Sequence, residues 1–357
     1  MHDLQDIIGR IEPIDEAMAG AAQRLLDAKT KPRRSLGRLE DLACQIAAIR
    51  GSTTGALGGK AIVVMAGDHG VAGRGVSAYP REVTRQMLLN FARGGAAINV
   101  LARSAGAEIV VVDMGVSEPV DRPESSLAFD IRQCRLGPGT ADFCSGPAMT
   151  RELAERGLRT GIDLARELVD SGIGLLAIGD MGIANSTASS ALTAVYTGAP
   201  AEEVTGFGTG IDPSTRRRKI EVIRTAIERN RPDPDDAIDV LAKLGGFEIA
   251  GLAGVVLGAA TRRCPILVDG FIASAAALVA VRLAPASKGY LIASHKSAEP
   301  GHQIVLRAIA SVPLFDLGLR LGEGTGAALA MNLVEASWAI LREMATFAAA
   351  GVTDTGK

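Results

Sequence analysis

The feature that most constrains the fold of this chain is a recurrence of short apolar runs. KAIVVMAGDHG, AEIVVVDMGV, GLLAIGDMG, PILVDG and GYLIASH are rich in Val, Ile and Leu, and each breaks off in glycine-containing or polar sequence. Their length and β-branched content predict strands. Because the apolar residues run on rather than alternate, both faces of each strand should be covered, as in a parallel sheet. Helical periodicity fills the intervals: residues 14–28, 36–50, a helix from Pro80 to about Ser104, RELAERGLRTGIDLARELVDSG, NSTASSALTAVY and RRRKIEVIRTAIERN. This alternation predicts an α/β fold with a doubly wound, mostly parallel, Rossmann-like sheet. Residues 117–148 are polar and irregular and read as loop.

The termini carry helical sequence without strands. The expected organisation is a small helical domain from 1–55 plus 327–357, beside a large α/β substrate-binding domain over 56–326. Hydrophobic residues make up 47% of the chain but aromatics only 3%, so the interior must be built from Ala, Val, Ile and Leu. A formal net charge of −2 gives no basis for binding nucleic acid or an anionic membrane surface. The most apolar stretch, 249–284, is interrupted by Arg262, Arg263, Pro265 and Asp269, so no membrane span is expected. Cys44, Cys134, Cys144 and Cys264 show no paired spacing, and the acidic, polar opening MHDLQDIIGRIEPIDE is unlike a signal peptide. Both point to a cytoplasmic protein with reduced thiols.

In open α/β sheets ligands sit beyond the carboxyl ends of the strands, so the loops there carry the chemistry. Leu321-Gly322-Glu323-Gly324-Thr325-Gly326 opens a long apolar-periodic helix. Thr325 is a plausible N-cap, and the glycines permit close backbone approach. A solvated acid in a helix-entry turn fits these letters. A general base fits them too, provided Glu323 is held partly dry against a bound partner.

The third strand ends in Gly179-Asp180-Met181-Gly182-Ile183-Ala184-Asn185-Ser186-Thr187, a glycine turn entering a helix. Backbone N–H groups at such a start bind phosphate well, although an ordinary capped turn has the same pattern. Gly206-Phe207-Gly208-Thr209-Gly210-Ile211-Asp212 is a second glycine loop. Lys219 lies nine residues after Gly210 and suits a phosphate contact, with Arg216, Arg217 and Arg218 read as a solvated basic face. Asp68-His69 lacks companion ligands at metal-site spacing, so no metal is expected. Ser77 and Gln86 are candidates for hydrogen-bonding a flat heterocycle. There is no GxxxxGK[ST] phosphate loop and only a weak dinucleotide pattern. After EIVVVDM the paired-acid, threonine-rich loop of the common diphosphate-binding phosphoribosyltransferases is missing as well.

Taken together, KPRRSLGRLEDLA, VVMAGDHGVAGRGVSAYPREVT, GDMGIANST, GFGTGID with Lys219, and LGEGTGAALAM resemble the nicotinate-nucleotide–dimethylbenzimidazole phosphoribosyltransferases, in family order over nearly the whole chain. The resemblance implies transfer of the phosphoribosyl group of nicotinate mononucleotide to 5,6-dimethylbenzimidazole in cobalamin lower-ligand assembly, without a cofactor. It implies Glu323 as general base and Gly182, Ile183, Ala184 and Asn185 as the phosphate-binding turn. Lys219 would be a phosphate partner, and Gly208, Thr209 and Gly210 further substrate contacts. Ser77, Gln86 and Leu321 would line the benzimidazole pocket. Asp180 stands where many members have Glu, and Ala184 where Gly is common. A homodimer whose subunits share their sites is also implied. The rival readings are a related N-glycosyltransferase or phosphorylase using another base, and a non-catalytic binder of nucleotides or heterocycles.

Overall fold

Six strands meet at the centre of the computed structural model, which describes residues 4–120, 130–208 and 210–353. They are β1 (Gly59–Gly67), β2 (Glu108–Gly115), β3 (Ile131–Gln133), β4 (Ile173–Met181), β5 (Ile266–Val268) and β6 (Leu291–Ala293). Their order is β3-β2-β1-β4-β5-β6, and every pairing is parallel. The chain moves outward from β1 in one direction and from β4 in the other, so the strand order reverses between these two neighbours. A crevice at their carboxyl ends follows from that topology.

Three helices precede the sheet: α1 (Leu4–Ile8), α2 (Glu16–Asp27) and α3 (Arg38–Arg50). Between β1 and β2 run α4 (Glu82–Arg93) and α5 (Ala97–Ala105), where the sequence predicts one continuous helix. The break is at Gly94, whose φ of +79° closes α4 and turns its N–H onto the Asn90 and Phe91 carbonyls. Residues 117–148 are likewise not all loop: β3 adds a three-residue edge strand there, too short to leave a periodic signal, while 121–129 lie outside the described residues.

α6 (Arg151–Asp170) leads into β4. Between β4 and β5 come α7 (Asn185–Thr197), α8 (Ala201–Val204), α9 (Pro213–Asn230), α10 (Ala237–Leu244) and α11 (Phe247–Ala260). α12 (Phe271–Leu283) joins β5 to β6, and α13 (Pro300–Ala308), α14 (Thr325–Glu343) and α15 (Phe347–Ala350) follow.

Strand side chains alternate between faces, and the two cores divide by parity. Ala61, Val63, Met65, Val110, Val112, Leu176 and Ile178 join one apolar cluster with α6, α11 and α12. Ile62, Val64, Ala66, Ile109, Val111, Leu175 and Ala177 join the other, with α2, α3, α5 and α14. On the first face α6 and α11 cross almost backbone to backbone. A Cβ on Gly161 would collide with the Gly251 carbonyl and the Val255 amide, so the glycines set the helix spacing. On the second face both terminal segments are stitched together. Lys29 Nζ donates to the Met344 carbonyl at 2.6 Å, and the Phe347 amide to Ala28 at 3.1 Å. Trp338, nearly fully buried, donates its indole N–H to Gly55 at 3.0 Å.

Candidate active site

Glu323 lies in the turn that enters α14, against the carboxyl end of β4. Its own φ is +64°, and Gly322 and Gly324 beside it are at +85° and +87°. Three successive left-handed residues make a turn too tight for ordinary side chains, which accounts for the flanking glycines. Gly179 in β4 completes the fit, because a Cβ there would strike the Glu323–Gly324 backbone. The Glu323 amide donates to the Asp180 carbonyl at 3.2 Å.

The side chain is 5% exposed, and its Oε2 has no hydrogen-bond partner among the described residues. Burial pushes the Glu323 pKa up from 4.5 to about 7; the Ile98 amide opposes the rise and the Asp269 charge adds to it. Asp180, also buried, is pushed well above the usual carboxylate range by burial and then by Asp269, while Asn185 Nδ2 donates to its Oδ2 at 2.9 Å. Thr325 does not cap α14 as the sequence suggests: Gly324 occupies the cap position. The hydroxyl of Thr325 turns back to the Gly322 carbonyl at 2.8 Å, and the helix's first amides go to Asp269.

A second group of side chains forms around the start of α7. Lys219 on α9 is 1% exposed, and its Nζ donates to Ser186 Oγ at 2.8 Å. Burial lowers the Lys219 pKa to about 8, against the charge of Glu299. Glu299 Oε1 accepts from the Gly208 amide at 2.9 Å, and Arg320 donates to the Gly208 carbonyl at 3.1 Å. A Cβ on Gly208 would approach both Ser186 Oγ (3.2 Å) and Lys219 Nζ (3.4 Å), so the second glycine loop lies directly over the buried ammonium. Gly182 closes against the Gly67 carbonyl at the end of β1, and Ala184 takes a φ of +76° where glycine would fit more easily. Not every amide of this turn is open: Ile183 donates to Thr84 Oγ1 at 3.1 Å and Asn185 to the Gly182 carbonyl at 3.1 Å.

Asp180, Gly182, Ile183, Ala184, Asn185, Gly208, Lys219 and Glu323 therefore gather along one edge of the sheet. Gln86 and Leu321 stand exposed beside it; Gln86 lies two residues beyond Thr84 and so points away from that contact round α4. Ser77 is half-buried, and its Oγ accepts from the Tyr79 amide at 3.3 Å. Gly210 is exposed, and Thr209 lies outside the described residues. Arg216 is not a solvated cation: it donates to the Thr205 and Glu202 carbonyls and covers the Phe207 ring. Asp68 and His69 are engaged within the protein. Asp68 Oδ2 accepts from Ser117, and buried His69 shares a 2.7 Å hydrogen bond with Glu248.

Sequence reasoning passed over Asp269 and Glu299. Each left one signal: an acid ending the PILVD strand, and an acid just before the proline that opens α13.

The family model described as "Phosphoribosyltransferase" matches residues 11–352. The nicotinate-nucleotide–dimethylbenzimidazole phosphoribosyltransferase of Roseiflexus sp. (strain RS-1) is 56% identical over 351 residues, covering 98% of this chain and 98% of its own length. This chain belongs to that family. The enzyme of the same name from Geobacter sp. (strain M21) is 50% identical over 353 residues, covering 99% of this chain and 100% of the relative. The crystal structure of the Thermus thermophilus nicotinate-nucleotide–dimethylbenzimidazole phosphoribosyltransferase superposes with a TM-score of 0.88 at 44% identity, covering 96% of this chain and 100% of that one. Fold and family thus agree over nearly the whole length. Among the described residues no helix is long and apolar enough to cross a membrane.

Proposed function

We infer that this chain transfers the phosphoribosyl group of nicotinate mononucleotide to 5,6-dimethylbenzimidazole, giving α-ribazole 5′-phosphate and nicotinate in cobalamin nucleotide-loop assembly. The observation that carries the reading is the buried carboxylate of Glu323, with one oxygen unpartnered, at the carboxyl edge of the sheet. Family membership supplies the reaction class.

One benzimidazole nitrogen attacks C1′ of the nucleotide. The new C–N bond forms as the bond to nicotinate breaks, and its electron pair neutralises the pyridinium nitrogen of the leaving group. The proton on the other benzimidazole nitrogen must then go elsewhere, and Glu323 takes it. A pKa near 7 suits that role, since the group is ionised at working pH yet basic enough to accept. Lys219, Ser186 and the Gly208 loop hold the phosphate, a charged contact strengthened by burial. Ser77 and Leu321 border the space for the aromatic base, with Gln86 exposed at its rim.

Tyr79, Phe207, Val312, Leu317 and Leu321 are large apolar side chains exposed on the segments that carry or adjoin site residues. A second copy of the chain would cover them and close the pocket, so the active form is proposed to be a cytoplasmic homodimer.

The test is to incubate the protein with nicotinate mononucleotide, with and without 5,6-dimethylbenzimidazole. Base-dependent nicotinate release, with formation of a compound of α-ribazole 5′-phosphate mass, supports the reading. Folded protein that releases no nicotinate with this base, but does so with another base or with phosphate, would replace it.

A further inference from the structure

At the end of β5, beneath the turn that carries Glu323, lies the fully buried Asp269. Its Oδ1 accepts from the amides of Gly326 (2.8 Å) and Ala327 (3.1 Å), and its Oδ2 from Gly324 (3.1 Å). A side chain from a different strand thus takes the place of the missing local cap of α14, satisfying amides that the helix cannot pair internally. The His295 ring lies over the same turn. Its Nδ1 is 3.8 Å from Asp269 Oδ1 and 3.1 Å from Ser294 Oγ, and it packs so closely on Gly326 that a Cβ there would clash.

We propose that Asp269 is the positioning residue of the catalytic base: its carboxylate holds the amides of Gly324, Gly326 and Ala327 in the turn and sets a second acid beside Glu323. This rests on Glu323 being the base. Burial raises the Asp269 pKa above the usual carboxylate value, and the His295 ring and the three amide donors oppose that rise by favouring the ionised form. An ionised neighbour makes it harder for Glu323 to lose its proton and so makes the Glu323 carboxylate a stronger proton acceptor.

Among the described residues, few groups face Glu323. β4 contributes Asp180 and β5 Asp269, α5 presents the Ile98 amide, and the segment after β6 presents His295 to Asp269. Among the described residues, the charged groups on the other elements packed against α14 are exposed or have partners of their own. Glu16 and Arg24 of α2 are exposed, and Asp27 accepts from Gln23. On α3 Glu40 pairs with Lys31, Asp41 with Arg34 and Arg38, and Arg50 lies over the Trp338 ring. Lys60 of β1 pairs with Glu335 on α14 itself, and Arg103 sits at the far end of α5 from Ile98.

The experiment compares wild type, D269N and E323Q by the pH profile of nicotinate release and by KM for both substrates. Circular dichroism checks the fold. Wild-type activity with loss in E323Q establishes the reading on which the proposal stands; an inactive wild type fails that reading and leaves Asp269 out of account. With that established, D269N should lower kcat at least tenfold, leave both KM values within about threefold, and move the acid limb of kcat to lower pH. An unmoved acid limb, or an effect confined to KM, would overturn the proposal.

A second readout needs no Asp269 variant. The infrared carboxyl difference between wild type and E323Q, titrated with pH, reports Glu323 directly. Titration near pH 7 is expected, whereas titration in the ordinary glutamate range would equally overturn the proposal, even if D269N does not fold.

Discussion

Lys219 Nζ and Ser186 Oγ meet at 2.8 Å, joining α9 to the first turn of α7 beneath the Gly208 loop. Among the described residues, Glu299 is the acid whose charge holds up the pKa of this buried ammonium, which burial has lowered to about 8. The sign follows directly: as pH rises through about 8 the unliganded protein loses the Lys219 charge, and with it the attraction for a phosphate. KM for nicotinate mononucleotide should climb above pH 8 in wild type. K219A should raise that KM roughly 10- to 100-fold, the scale of a charge-assisted hydrogen bond, while KM for the benzimidazole changes little. E299Q should shift the climb to lower pH. Steady-state kinetics from pH 6.5 to 9.5 check all three, and equal effects of K219A on both substrates would contradict the phosphate contact.

The α6–α11 crossing offers a prediction independent of the site. G161A places a methyl group where the Gly251 carbonyl already sits, and overpacking of this kind costs roughly 1–3 kcal/mol or more. Urea unfolding, followed through the buried Trp338, should show a lower midpoint with little change in slope, since the exposed surface on unfolding is the same. Unchanged stability would mean that the two helices separate without penalty.

Burial of Glu323 also has a consequence for stability. A carboxyl whose folded pKa is raised favours the protonated native state, so its contribution is fully present below the unfolded value near 4.5. That contribution is lost as pH rises through about 7. Gln cannot ionise. E323Q should therefore be more stable than wild type by ~1–3 kcal/mol at pH 8.5 and by much less at pH 4.5. Thermal melts at both pH values decide it, and an identical difference at the two would remove the burial argument.

The exposed apolar side chains beside the site predict self-association. Sedimentation should show a dimer. L317D should shift it toward monomer and raise KM for the benzimidazole at least several-fold, because Leu317 is 64% exposed near the Leu321 edge of the pocket. A monomeric wild type with full activity would contradict the shared-pocket arrangement.

How much of this was legible in the sequence depended on the kind of force involved. The principal strands could be read because burial on both faces leaves continuous Val and Ile runs. β3 could not, because three edge residues form no pattern. The split between α4 and α5 was marked by Gly94-Gly95, yet the surrounding apolar periodicity outweighed that mark. Glu323 and Lys219 were visible because glycine turns frame one and a helix start adjoins the other. Asp269 was not singled out, because its partners are amides 55 to 58 residues away, brought to it only by the parallel sheet. Glu299 meets Gly208 across 91 residues for the same reason. Local spacing names the residues that need special backbone, while the residues that hold them from a distance are found only in the folded chain.

The most direct test of the account compares nicotinate release by wild type and E323Q, with 5,6-dimethylbenzimidazole present and substrate binding checked by calorimetry. Removing the base should cost about 10²- to 10⁴-fold in kcat, with both substrates still bound, and the wild-type rate should fall as pH drops below about 7. A folded E323Q that turns over at near the wild-type rate would contradict the assignment of Glu323 as the proton acceptor.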